Sequence, residues 1–147
     1  AAWFAGTGAT GRVYLNGSLE PRCGWIQIMT RGYQLAAVQF FCGCILGAVI
    51  WWLSPIFTGH AEPWDASGSY FPVALFIAGA LAACVWPPGF CLGSLGVYFG
   101  QLAYMLLFLP TGPLAGLGRL MLLGETLFAL LGGAITYGIY RLILARA

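Results

Sequence analysis

Four apolar runs, at 33–53, 71–86, 89–109 and 120–144, constrain what this chain can become more than any other feature. The first three hold no charged residue, and Glu125 is the one acid in the fourth. A hydrocarbon core about 30 Å thick takes roughly 20 apolar residues as a helix, with an accepted range of about 17–25. Water offers no comparable solution, because a domain of ~150 residues buries only about 68–70% of the surface its unfolded chain exposes. Of the 147 residues, 61% are hydrophobic and 7% charged, against about 25% charged in soluble domains. That scarcity of charge excludes a disordered chain, a nucleic-acid-binding domain and an ordinary soluble enzyme. The expected fold is all-α, a polytopic integral membrane protein with four transmembrane helices over 33–147. Residues 1–32 mix glycine, threonine and arginine without periodicity. They are expected as an irregular arm on the membrane surface or against a partner.

Proline and glycine punctuate the runs. Ser54-Pro55 is expected to end the first helix, since the residue before a proline is pushed out of helical space. Phe71-Pro72 opens the second, proline being suited to a first helical turn. Trp86-Pro87-Pro88-Gly89 leaves room only for a tight hairpin, so the second and third helices must be antiparallel neighbours. Pro110 stops the third, 111–118 is a flexible turn, and 56–70 is the one substantial loop. With four crossings both termini share a side, and that side holds Arg12, Arg22, Arg31, Arg141 and Arg146 against Arg119 opposite. The positive-inside rule then places both termini in the cytoplasm, matrix or stroma. Trp51, Trp52, Tyr70, Phe71 and Phe108 would form an aromatic belt at the far interface. The first and third helices also end alike, in Trp-Leu-Ser-Pro and Phe-Leu-Pro-Thr-Gly, the pattern a parallel duplication would leave.

Small residues supply the commonest motif. Gly43 and Gly47, Gly89 and Gly93, and Gly96 and Gly100 are spaced by four, and Gly132 and Gly133 lie in the fourth helix. Close backbone approach at such positions holds helices together in lipid. Four helices would satisfy only part of this glycine surface among themselves, leaving the rest for neighbouring subunits. Glu125 lies one to two turns from the end of its span. A charge at depth costs roughly 2.5–3.5 kcal/mol on insertion scales, so it faces a partner or a cavity. Gln34, Gln39 and Gln101 are the other polar groups in or near spans, and Gln101 with Glu125 is the candidate intramembrane pair.

Other constellations fall short of a site. His60, Glu62 and Asp65 lack a metal-ligand spacing, and Cys42-Gly-Cys44 lacks the spacer of a redox pair. Five cysteines imply no disulfide framework. Residues 6–11, GTGATG, neither follow a strand nor open a βαβ unit, as a dinucleotide loop would. No motif encodes a metal or cofactor, which leaves bound lipid or pigment as an open question. The leading expectation is a non-catalytic accessory subunit of a larger membrane complex, respiratory or photosynthetic. Its partners would be other membrane subunits and the bilayer, not nucleic acid. The alternative is a small oligomeric transporter or channel with a polar pathway through Glu125 and Gln101. An intramembrane enzyme is disfavoured, since no nucleophile–base pair can be assembled.

Overall fold

The computed structural model describes the backbone of residues 22–60, 62–65, 68–109 and 115–146, and the side chains of all of these except 22–30, 65 and 115. Described residues form four helices and no strand: α1 (Arg22–Thr58), α2 (Tyr70–Val85), α3 (Phe90–Phe108) and α4 (Ala115–Arg146). Short 3-10 turns at Pro63–Asp65 and Pro87–Gly89 precede α2 and α3. Three helical stretches are long and apolar enough to cross a membrane: Arg31–Thr58, Pro87–Phe108 and Gly116–Arg146. α2 is a shorter apolar helix of 16 residues. At 1.5 Å per residue it rises about 24 Å, short of a full hydrocarbon core by about one turn.

Several boundaries differ from those expected of the apolar runs and prolines. Contacts divide the chain between Arg31 and Gly32. The arm expected over 1–32 lies outside the described residues as far as 21, and from Arg22 its backbone is helical. α1 also runs through Pro55 rather than stopping at 53. Pro55 removes only the one N–H that would serve the Trp51 carbonyl, and hydroxyls tie the turn that follows. Thr58 Oγ1 donates to the Ser54 carbonyl at 2.8 Å, and Ser54 Oγ donates to the His60 carbonyl at 2.9 Å. The helix ends at Gly59, whose φ of 74° is open to glycine. α4 starts earlier and ends later than 120–144, because the turn residues around Gly116 and Gly118 add to its first turns.

The helices run up, down, up and down. Tyr70 at the start of α2 donates its hydroxyl to the Ile50 carbonyl of α1 at 2.9 Å. Gln39, earlier in α1, lies beside Trp86 and Gly89 at the far end of α2. α1 and α2 are therefore antiparallel, whereas α1 and α3 run parallel and touch through glycines. A Cβ at Gly43 would overlap the Gly93 carbonyl, one at Gly96 the Phe40 carbonyl, and one at Gly100 the Cys44 carbonyl. α2 and α4 repeat this crossing. A Cβ at Gly79 would overlap the Ala129 carbonyl, and one at Gly132 the Phe76 carbonyl. Thr136 Oγ1 reaches the Ala80 carbonyl at 3.5 Å. Adding 36 to Phe40–Gly96, Gly43–Gly93 and Cys44–Gly100 gives Phe76–Gly132, Gly79–Ala129 and Ala80–Thr136. Two parallel helix pairs of opposite direction thus share one packing register. The bundle is an inverted repeat of α1 onto α2 and α3 onto α4, where the helix ends had pointed to a parallel one.

Leu75, Ala78, Ala82, Val97, Leu122 and Ala129 fill the space between the pairs. Large apolar residues such as Phe41, Ile45, Leu107, Leu127 and Ile143 are exposed around all four helices. The expected aromatic belt is only partly there. Trp52 and Phe108 face outward, but Trp51 and Phe71 are buried, because both sit on the faces that meet the other helices.

Candidate functional site

Helix register brings two amides into the core. In α1, Gln39, Gly43 and Gly47 follow at intervals of four, and in α3 so do Gly93, Val97 and Gln101. Each set therefore lies on one helix face. Since the glycines of each set form the α1–α3 contact, the glutamines are carried inward with them. Both are 0% exposed. Gln39 is packed by backbone and small groups: a Cβ at Gly93 would stand 3.2 Å from its Nε2, and one at Gly89 2.7 Å from its Oε1. Among the described residues neither Gln39 Nε2 nor Oε1 has a hydrogen-bond partner, and Gln101 Nε2 has none. Gln101 Oε1 accepts one bond, from Trp51 Nε1 at 3.3 Å, beyond the usual N–H···O range of 2.7–3.2 Å and so weak. A buried polar atom without a partner costs about 1–3 kcal/mol. The two residues thus place a standing energetic cost in an otherwise apolar seam. Gly93 and Gln101 are eight residues apart, which sets the amides about 12 Å apart along α3.

An aromatic cluster closes the seam at the Gln101 end. Trp51, 0% exposed, meets Trp64 edge-on at a centroid distance of 4.8 Å and Tyr104 at 6.1 Å. Trp64 also stands edge-on to Phe71 at 6.4 Å. Pro63 is fully buried beside it, and Trp64 Nε1 donates to Glu62 Oε2 at 2.7 Å. The 3-10 turn is thereby held over the bundle end by one buried ring and one charge-assisted hydrogen bond. At the opposite end Phe90 stacks on Tyr137 at 5.7 Å, and Arg141 Nη1 donates to the Tyr137 hydroxyl at 3.1 Å.

The residues expected to matter are distributed as follows. Gly43, Gly47, Gly93, Gly96 and Gly100 face the α1–α3 crossing or its inner side, and Gly132 packs on α2. Gly133 lies against Phe90, and Gly89 against Trp86 and Gln39. All eight meet other parts of the same chain. Gly116, Gly124 and Gly138, by contrast, have nothing within 4 Å. The Gln101–Glu125 pair does not form, because Gln101 turns its carbonyl to Trp51. Glu125 is half-buried and has no hydrogen bond or ion pair among the described residues, Arg119 included. It shares the packed stripe of α4 with Leu122, Ala129 and Gly132, at spacings of three, four and seven. No group of three metal-ligating residues occurs among the described residues. Glu62 is engaged with Trp64, and the Asp65 side chain lies outside the description. Cys42, Cys44, Cys84 and Cys91 are free thiols.

Gln39, Trp51 and Trp64 were not singled out by motif. For Gln39 the signal was present, since a residue four before a Gly-xxx-Gly pair shares its packed face. For Trp64 there was none, as it sits in a loop.

Compared with family models, curated proteins and solved structures, the chain matches none.

Proposed function

We propose that this chain is an integral membrane protein that crosses the bilayer four times and passes a small solute along the seam between α1 and α3. Both termini lie on the cytoplasmic, matrix or stromal side in this reading, from the arginine distribution. One observation carries the transport reading: Gln39 and Gln101 are fully buried with three side-chain atoms unpartnered. Amides serving only to bind helices in lipid would be fully paired across the interface, whereas Gln39 is unpaired at both atoms and Gln101 holds only one long bond, from Trp51. Glu125 has no part in the seam contacts on the page, so the pathway rests on Gln39 and Gln101 rather than on Gln101 with Glu125.

The test is solute flux in vesicles reconstituted with the wild-type protein or with Gln39→Leu/Gln101→Leu, each checked for helicity. The reading expects wild-type flux that the double substitution abolishes. Flux that survives it in a folded protein refutes the amide route.

The second reading is a non-catalytic accessory subunit of a larger membrane complex. The open faces at Gly124 and Gly138 on α4 favour it, because an exposed glycine offers a neighbouring helix a close approach. Native mass measurement after extraction in mild detergent separates the two. Co-migrating subunits support the second reading, and a monodisperse chain or homo-oligomer removes it.

A further inference from the structure

Resting on that transport reading, we infer that the seam is selective for small uncharged solutes bearing both hydrogen-bond donors and acceptors, of the size and chemistry of urea or acetamide. The unpartnered set is itself amide-like. Gln39 offers a free N–H pair and a free carbonyl, and Gln101 offers a free N–H pair. A planar solute with one carbonyl and one amino group would accept from and donate to Gln39 and, about 12 Å further along the seam, accept from Gln101 in turn. It would replace bonds that the closed bundle leaves unmade.

The surroundings argue against ions. Gly89 and Gly93, with Ala82 and the Trp86 ring beside them, lie against the Gln39 amide, and the Trp51 ring reaches the Gln101 amide. No charged side chain is among them. An ion stripped of water there would meet two amide dipoles and no countercharge, far too little to offset its desolvation. A neutral solute loses only a few hydrogen bonds to water and recovers them at Gln39 and Gln101. Size is limited as well. The Gly43–Gly93 and Gly47–Val97 backbone contacts leave no room even for a methyl in the closed bundle, so passage requires α1 and α3 to part there and admits only small solutes, while Trp51 with Trp64 closes one end.

The experiment is light-scattering shrinkage and re-swelling of reconstituted vesicles in urea or acetamide gradients, beside potassium, chloride and proton flux measured with and without a membrane potential. The inference expects urea or acetamide entry well above protein-free vesicles, insensitive to potential, with no ion current. Gln39→Met or Gln101→Met should each lower entry about tenfold, the factor one hydrogen bond is worth. Gln39→Asn, which keeps the amide, should lose less. Gly124→Ala, remote from the seam, should leave entry unchanged. Ion flux without neutral-solute flux overturns the solute class and leaves the transport reading standing. Movement of neither from a folded, reconstituted protein overturns both.

Discussion

Replacing Gly100 by alanine should weaken the bundle even though alanine is the better helix former. A Cβ there would overlap the Cys44 carbonyl oxygen and lie 2.7 and 2.8 Å from its carbonyl carbon and Cα. All three atoms are backbone, so no rotamer change relieves the clash, and α1 must move away by about 1 Å, losing contact along the seam. Overpacking of this kind costs typically about 1–3 kcal/mol, and the rigid obstacle puts Gly100 at the upper end. Helix propensity returns at most about 1 kcal/mol, leaving a net loss of about 2 kcal/mol. Gly124→Ala is the matched control, with nothing within 4 Å of its added methyl, so propensity acts alone and stability holds or rises by up to about 1 kcal/mol. The assay is unfolding of both variants by a denaturing detergent in mixed micelles, followed by circular dichroism. If Gly100→Ala were as stable as Gly124→Ala, the close α1–α3 contact, and with it the placement of both glutamines, would be refuted.

The inverted register predicts that Gly96→Ala and Gly132→Ala, which meet the Phe40 and Phe76 carbonyls, destabilise within about 1 kcal/mol of one another in the same assay; widely different costs would break the equivalence. Trp51→Ala should lose about 3–5 kcal/mol, the cost of emptying a fully buried ring site. Trp64→Ala, half-buried, should lose less, and solute entry from its end of the bundle should quicken; unchanged entry would show that Trp64 does not close the route. A reporter fused after Ala147 should be protected from protease added outside intact cells, while a cleavage site inserted beside His60 should be cut. The opposite pattern would reverse the proposed orientation.

Much of the fold was legible because apolar run length and proline position act locally. The Trp86–Gly89 hairpin follows from four residues, and α2 and α3 flank it as expected. Pro55 misled because a proline near a helix end costs a single backbone bond, and the following turn is tied to the chain by the Ser54 and Thr58 hydroxyls. The similar ends of α1 and α3 point to a repeat between like-directed helices. It lies instead between neighbours of opposite direction, in the spacing of Phe40, Gly43 and Cys44 against Phe76, Gly79 and Ala80. Glycine counts alone could not say which partner each glycine meets, and the surplus expected to face other subunits is largely taken up within the chain. Glu125 drew notice because charge is rare in an apolar helix. Gln39 reads in the sequence only as one of three glutamines in or near spans, since its weight comes from complete burial without a partner, which only the assembled bundle reveals.

The most direct test of the central claim, that Gln39 is kept for function and not for the fold, is the unfolding free energy of Gln39→Leu in detergent. Leucine of similar volume removes two unpartnered buried atoms, so the account predicts a protein more stable than the parent by about 1–3 kcal/mol. A less stable protein would contradict it, showing the amide to be a satisfied tie between helices.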